Sequence, residues 1–166
     1  RVASPTELSD AYQEVAFGSG LADVVEDLIG PDVRFHHSKV NSKLAKTTTK
    51  VKWHQDFPFD PHSNDDLITA LLFVDDVTLD NGPLRIVPGS HKGPLHSLWH
   101  GGKYTGAVSD ALVPGYERES IPCYGSAGSV CLMHSRVAHA SDANNSDGPR
   151  TLFIVAYAAA DAVPLA

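Results

Sequence analysis

A few side chains have the types and spacing needed to hold a transition metal ion. His54 and Asp56 are two residues apart after a predicted strand, so on an extended backbone their side chains point to the same face. A third ligand must come from a distant strand, and the second half of the chain offers His134 and His139. Two imidazoles and one carboxylate leave three positions of an octahedral ion open, which is typical of non-haem Fe(II) oxygenases. A His-x-Asp pattern is short enough to recur by chance, so the residues around it must show whether it marks a metal site.

An arginine further along the chain adds an anion site. Arg150 lies eleven residues after His139 and opens a predicted apolar strand. A guanidinium in such a setting needs an anion, and it binds a carboxylate through two hydrogen bonds. Ser141 follows His139 by two residues, where its hydroxyl can share that carboxylate. This pair beside an iron site suits 2-oxoglutarate, a keto acid that chelates the metal at one end and is anchored at the other. A structural ion pair with one of the many aspartates is the alternative for Arg150.

The elements that must position these side chains are mostly short strands. Six segments are rich in β-branched and aromatic residues, and turn residues such as Gly, Pro, Asn and Asp separate them. The predicted strands are 33–40, 47–53, 67–74, 84–87, 129–133 and 151–158. Many short strands without an alternating β-α order indicate a sandwich or barrel. We therefore predict a mainly β fold, a cupin-like double-stranded β-helix (jelly roll), with flanking N-terminal helices.

Two helices are predicted before the first strand. Ser4 is placed to cap the first helix, with Pro5 at its first position and Glu7 three residues after the cap. Leu21–Ile29 carries apolar residues at helical spacing, and Gly30 stops it.

The organisation along the chain indicates one domain. A length of 166 residues is enough to bury one core. We expect a single oxygenase domain over 1–166, with a helical buttress at 1–32 and the jelly-roll core at 33–162. Residues 92–126 are expected to form an excursion or lid with little regular structure. Because the chain starts at Arg1, we also expect that some N-terminal sequence is missing.

Composition limits the possible partners and the compartment. With 13 Lys+Arg against 20 Asp+Glu, the net charge of −7 argues against nucleic-acid binding. The longest apolar runs, of eight and nine residues, are too short to cross a membrane, and no signal peptide is visible. Cys123 and Cys131 match no zinc motif or disulfide framework and are expected to be free thiols. We expect a cytoplasmic monomer or homodimer acting on a small molecule.

Several motifs in a fixed order make the resemblance to one family specific. These are Trp-His-Gln-Asp at 53–56, Asn-Asp-Asp-Leu at 64–67, Asp-Asn-Gly-Pro-Leu at 80–84 and Val-Pro-Gly-Ser-His-Lys-Gly at 87–93, then His-Ala-Ser at 139–141 followed by Asn144, Ser146 and Arg150. Together they resemble the phytanoyl-CoA dioxygenase family over roughly residues 33–162.

The resemblance implies roles for individual residues. His54, Asp56 and His139 match the iron ligands of the family, whereas His134 matches a position that is not a ligand. Arg150 and Ser141 match its anchors for the 2-oxoglutarate carboxylate, and Asn41 falls where relatives place a polar contact to this co-substrate. The implied cofactor is Fe(II), with 2-oxoglutarate and O₂ as co-substrates. The implied reaction hydroxylates an aliphatic C–H and releases succinate and CO₂. A carboxylate ligand argues for hydroxylation over halogenation.

Two other classes of function remain open on the sequence alone. One is a catalytically silent jelly-roll binding module, and the other is a cupin-like metalloenzyme that uses no 2-oxoglutarate. The substrate is not identified by the sequence. An anionic substrate would be favoured by a cluster of five lysines: Lys39, Lys43, Lys46, Lys50 and Lys52. Four residues of the 92–126 excursion are candidates for substrate contacts: Trp99, His100, Tyr104 and Tyr116. Gln55 or Trp53 is expected to orient the ligand imidazoles.

Overall fold

Two antiparallel β-sheets face each other in the computed structural model, which describes residues 1–165. The strands are β1 Val2–Ala3, β2 Val33–Lys43, β3 Val51–His54, β4 Leu67–Phe73, β5 Leu84–Ile86, β6 Trp99–His100, β7 Lys103–Tyr104, β8 Ile121–Cys123, β9 Val130–His134, β10 His139–Ser141 and β11 Arg150–Ala159. The larger sheet has the order β1-β2-β11-β4-β9, and the smaller has the order β3-β10-β5-β8. β6 and β7 form a separate pair. The predicted mainly β sandwich is confirmed.

Strand β11 shows where the apolar core lies, because it is apolar on both faces. Leu152 and Ile154 join a buried cluster between the two sheets. Phe153, Val155 and Tyr157 alternate with them and join a second buried cluster on the outer face of the larger sheet. The outer face therefore needs cover of its own, and the N-terminal helices provide it.

Within residues 1–165, three α-helices accompany the sheets: α1 Asp10–Gln13, α2 Leu21–Ile29 and α3 Val113–Glu119. Helix α2 has the predicted bounds and packs Val25 against the outer face of the larger sheet. Gly30 ends it with a φ of 120°, a conformation that glycine adopts without a steric penalty. Within residues 1–165 no helix is long and apolar enough to cross a membrane.

The predicted capped helix at Ser4 is wrong. Ser4 has a φ of 47°, its side chain makes no capping hydrogen bond, and only a 3₁₀ turn follows at Pro5–Glu7. The cause is the pairing of β1 with β2, in which the backbone N–H of Ser4 donates to the carbonyl of Ser38 at 3.0 Å. The chain is therefore held to the sheet edge before it can enter a long helix.

The expectation of little regular structure over 92–126 is also wrong. This segment contains β6, β7, α3 and β8, and β8 pairs with β5 at the edge of the smaller sheet. Tyr116 of α3 packs with Trp53 at a ring-centroid distance of 5.5 Å. Short strands and a seven-residue helix carry too few periodic residues to be visible in the sequence.

Candidate metal and co-substrate site

Three of the side chains expected to hold a metal meet between the two sheets. His54 ends β3, His139 begins β10, and the two are directly paired in the antiparallel ladder, with ring centroids 4.1 Å apart. Asp56 follows β3, and its Oδ1 lies 3.4 Å from His54 Nε2 and 3.6 Å from His139 Nε2. The structure thus brings His54, Asp56 and His139 together as one cluster of ligand atoms within 4.8 Å of one another.

The backbone reaches this arrangement by a route that the sequence did not predict. Asp56 is not extended but has helical dihedrals, φ −73° and ψ −37°, at the start of the 3₁₀ turn Phe57–Phe59. Its N–H donates to the carbonyl of Ser135 at 2.9 Å, just beyond the end of β9. This hydrogen bond turns the chain after β3, so the turn and not strand alternation brings the carboxylate to the imidazoles.

The hydrogen bonds of the two imidazoles leave their Nε2 atoms free to bind a cation. His54 Nδ1 donates to the carbonyl of Lys52 at 2.7 Å, and His139 Nδ1 donates to that of Val137 at 2.9 Å. In the neutral imidazole the proton is then on Nδ1, and Nε2 carries a lone pair. Two lone pairs and a carboxylate therefore face one another, and a cation between them satisfies all three.

Electrostatics keep His139 and Asp56 in the protonation states that bind a metal ion. Burial lowers the pKa of His139 to about 4, so its imidazole is neutral near pH 7. Burial alone would raise the pKa of Asp56, but attraction to His139 and His54 outweighs it and holds this pKa below the usual range. A neutral imidazole and an ionised carboxylate are the forms that bind metal ions.

The residues expected to orient these imidazoles do something else. Trp53 Nε1 donates to Glu117 at 2.8 Å, and the Gln55 amide donates to the carbonyls of Pro94 and Arg136. Neither side chain bonds a ligand imidazole, so that prediction is wrong. The backbone carbonyls of Lys52 and Val137 orient the two imidazoles.

A cavity of about 180 Å³ extends from the cluster into the barrel. Asn41, Ser141 and Arg150 line it, so the structure brings all three expected co-substrate contacts to one space. Arg150 is only 3% exposed, and its Nη2 donates to the carbonyl of Gly82 at 2.7 Å. The Arg150 Nε has no hydrogen-bond partner among residues 1–165, and the Arg150 guanidinium forms no ion pair with an aspartate there. Burial lowers its pKa to about 10, which leaves it cationic at neutral pH.

Sequence reasoning missed a second cation in the cavity of about 180 Å³, which we call the inner cavity. Lys43 is directly opposite Arg150 in the pairing of β2 with β11, and its Nζ donates to Ser141 Oγ at 2.9 Å. Burial, with repulsion from Arg150, lowers the pKa of Lys43 to about 8. The signal was the alternation along β2, because Lys39, Asn41 and Lys43 share one strand face. Like charges placed opposite each other destabilise a sheet, so an anion between them is the arrangement that this pair favours.

A second cavity of about 360 Å³ opens on the other side of the cluster. Lys39 and Asp56 line both cavities, and this outer cavity adds Arg1, His36 and His37. The Lys39 ammonium forms no hydrogen bond or ion pair within residues 1–165, and burial lowers its pKa.

The aromatic residues expected to contact a substrate do not line either cavity. Trp99, His100, Tyr104 and Tyr116 all lie outside the walls of these two spaces. The Tyr104 ring packs against that of Phe59, a wall residue of the outer cavity, at a centroid distance of 6.5 Å.

His134 lies outside the metal cluster, as expected from its match to a family position that is not a ligand. It ends β9, its Nδ1 accepts a hydrogen bond from the Arg136 N–H at 3.1 Å, and its ring packs against that of His91 at 5.5 Å. It belongs to a strand end and not to the site.

Fold and site together define a class of jelly-roll proteins in which two facing sheets enclose a His-Asp-His cluster beside a cation-lined cavity. Comparison with known proteins then gives the family. A sequence model described as Phytanoyl-CoA dioxygenase (PhyH) matches residues 2–152, and the chain belongs to this family. The family predicted from the motifs is confirmed.

Two curated relatives show the range of chemistry in this group. The chain is 36% identical to a probable alpha-ketoglutarate-dependent hypophosphite dioxygenase from Stutzerimonas stutzeri, with 99% of this chain covered. It is 28% identical to an L-proline trans-4-hydroxylase from Streptomyces griseoviridis, with 82% covered. The matched region spans 59% of the length of each relative.

Solved structures agree on the fold. EctD from S. alaskensis with bound Fe matches 95% of this chain and 56% of its own chain, with a TM-score of 0.80 and 25% identity. The same protein with 2-oxoglutarate and 5-hydroxyectoine matches 90% of this chain and 51% of its own, with a TM-score of 0.73 and 26% identity. The predicted jelly roll is confirmed by these matches.

Proposed function

We propose that the protein is an Fe(II)- and 2-oxoglutarate-dependent dioxygenase that hydroxylates an aliphatic C–H of a small molecule and releases succinate and CO₂. One observation carries the proposal: two imidazole lone pairs and a carboxylate converge beside a cavity whose buried guanidinium lacks a partner for its Nε. Family membership supports it, as do relatives whose names include alpha-ketoglutarate dependence and a neighbour with bound Fe.

In this proposal each residue of the cluster has one task. His54, Asp56 and His139 hold the iron through Nε2, a carboxylate oxygen and Nε2. The backbone carbonyls that accept from the two Nδ1 atoms fix the ring orientation and keep the lone pairs pointed at the metal. The donor set fits Fe(II), because two imidazoles and one carboxylate are its usual protein ligands in oxygenases.

The inner cavity fits the co-substrate. Arg150 and Lys43 supply two cationic donors for its distal carboxylate, and the Ser141 hydroxyl, which accepts a hydrogen bond from Lys43, lines the same cavity. Asn41 contributes a polar contact on the same wall. Leu71, Leu152 and Ile154 add apolar surface to the cavity wall, and this low-polarity surface strengthens the charge interactions beside it. When bound, iron and 2-oxoglutarate supply the activation of O₂.

The outer cavity supports a small anionic substrate. Its volume of about 360 Å³ suits a compact molecule, and the Lys39 ammonium at the junction of the two cavities has no partner within residues 1–165. Arg1 adds a second positive charge on the wall. Of the lysine cluster that suggested an anion, only Lys39 and Lys43 reach a cavity, and Lys43 faces the co-substrate.

The first experiment tests the chemistry. Anaerobic addition of Fe(II) and then 2-oxoglutarate to the chain should produce a metal-to-ligand charge-transfer band, and air should then release succinate. Arg150→Ala should abolish 2-oxoglutarate turnover, whereas Arg118→Ala, at an exposed arginine, should not. No band with the native chain would exclude this function. Metal-dependent activity that survives Arg150→Ala would favour the cupin-like alternative, and a band without succinate would favour the silent binding module.

The second experiment tests the substrate class. Succinate release is compared between hypophosphite, small carboxylates and their neutral amides, such as butyrate and butyramide. Anions should stimulate turnover at least tenfold more than the amides, and Lys39→Met should remove that preference while the exposed Lys52→Met keeps it. Equal stimulation by acids and amides would contradict the anionic class and leave the dioxygenase chemistry standing.

Residues 1–166 are proposed to form a single oxygenase domain that acts as a monomer or homodimer in the cytoplasm. Two free cysteines support a reducing compartment.

A further inference from the structure

A second group of metal-type ligands lies beside the outer cavity, with two of its three members, His36 and Asp60, on the cavity wall. His36 is on β2, and Asp60 and His62 follow the 3₁₀ turn after Asp56. Each offers one ligand atom, and the three atoms lie within 4.8 Å of one another. The two imidazole rings meet edge to face with centroids 5.0 Å apart. None of these residues takes part in the cluster already described.

His62 carries a buried polar atom that the protein leaves unsatisfied. Its side chain is fully buried, with 0% exposed. Nδ1 donates to the carbonyl of Asp60 at 2.9 Å, so the neutral ring has its lone pair on Nε2. That Nε2 has no hydrogen-bond partner among residues 1–165. A buried acceptor without a donor is costly, and a cation is one way to satisfy it.

The two remaining ligands stay accessible. His36 Nε2 contacts Asp60 Oδ2 directly, and both side chains are partly exposed on the cavity wall, at 24% and 41%. A metal ion could therefore enter from the cavity and replace the hydrogen bond between His36 and Asp60. Arg1, His37 and Lys39 also line this cavity and oppose a cation there, so a tight site needs the Asp60 charge.

We propose that His36, Asp60 and His62 form a second divalent-metal site, suited to Zn²⁺ with a fourth position open to the outer cavity. Zn²⁺ binds imidazole nitrogens and carboxylate oxygens in tetrahedral sites, and three protein ligands leave one position for water or an anion. The ion ties β2 to the segment 57–62 that follows Asp56. It therefore fixes a part of the outer cavity wall that adjoins Asp56, and it does so whether or not the chain is a dioxygenase.

Metal stoichiometry tests the proposal directly. The tag-free full chain is equilibrated with Zn²⁺ or Co²⁺, dialysed and analysed for bound metal, and the Co²⁺ form is followed by its visible absorption. The native chain should bind two equivalents. Asp56→Ala should retain one, and His36→Gln should also retain one, with a different Co²⁺ spectrum. The double variant should bind none.

Control variants keep the outcome interpretable. His100→Gln changes a partly buried histidine that donates to the carbonyl of Ala107, and it should still bind two equivalents. Because His62 is fully buried and its replacement endangers folding, the test rests on the accessible His36 and Asp60, with Asp60→Asn as the second variant. One equivalent in the native chain, or two in His36→Gln and Asp60→Asn, would show that His36 and Asp60 are only a hydrogen-bonded pair. Asp56→Ala disrupts only the His54-Asp56-His139 cluster, so the second site should still bind one equivalent in this variant. Failure of the proposed iron site and failure of the second site therefore give different results.

Discussion

Replacing Lys43 by methionine tests the co-substrate cavity most sharply. The Lys43 ammonium faces Arg150 across a strand pair and donates to Ser141 Oγ. Methionine keeps most of the side-chain volume and removes the charge. A hydrogen bond between charged partners contributes about 1.5–3 kcal/mol, so its loss should raise the Kd for 2-oxoglutarate roughly 10- to 150-fold.

The pH dependence gives an independent measure of the same contact. With a pKa of about 8 in the free protein, Lys43 is charged in roughly nine molecules of ten at pH 7 and roughly one of ten at pH 9. If 2-oxoglutarate binds only when Lys43 is charged, the Kd for 2-oxoglutarate rises about tenfold between pH 7 and pH 9, because Lys43 must take up a proton on binding. The other charges that face Lys43 are Arg150, Asp142 and Lys50. Arg150, with a pKa of about 10, remains largely charged over this range.

The assay is an anaerobic titration of the Fe(II)-loaded chain with 2-oxoglutarate, read from the charge-transfer band at pH 7 and pH 9. Lys43→Met should bind weakly with little pH dependence, and it should still bind one Fe(II) at the His-Asp-His cluster. Lys46→Met is the matched control, because Lys46 is exposed and pairs on the surface with Asp147. A Lys43→Met variant within threefold of the native Kd, or one with the native pH slope, would refute the assignment.

Three further changes probe the metal cluster and the fold. Asp56→Ala should lower Fe(II) affinity at least 100-fold, since the imidazole lone pairs lose their anionic partner, and equilibrium dialysis measures this. Gly82→Ala should lower both the melting temperature and the 2-oxoglutarate affinity. Gly82 has a φ of 77°, and a Cβ there would lie 2.5 Å from the Asp142 carbonyl; normal binding and melting would contradict this. Tyr157→Phe should cost about 1 kcal/mol of unfolding free energy in urea titrations, because it removes a buried hydrogen bond of 2.7 Å to Ala16.

The structure brings the three predicted ligands together, but by a backbone route different from the predicted one. The spacing of His54 and Asp56 suggested an extended backbone, yet Asp56 is helical and is turned by its hydrogen bond to Ser135. That contact joins residues far apart in the chain, and local patterns carry no information about it. Strand β10 escaped prediction for a related reason: three residues are too few to show a period, and its pairing with β3 and β5 fixes it.

The central strands were predictable because local pattern and tertiary environment agree there. β11 is a continuous apolar run, as a strand buried on both faces requires, and α2 has an apolar face that ends at a glycine. The Ser4 cap failed where the two disagreed. A good capping sequence there is overridden by the pairing of β1 with β2.

The pairing of Arg150 with Lys43 links the fold to the proposed chemistry. A like-charged pair directly opposite in an antiparallel sheet opposes folding, and burial lowers the pKa of both groups. Such a pair is explained by an anion that binds between the two cations. The bound anion must then stabilise the sheet, because it binds the folded state alone. If 2-oxoglutarate is that anion, as proposed, β2 and β11 should be held together more firmly when it is present.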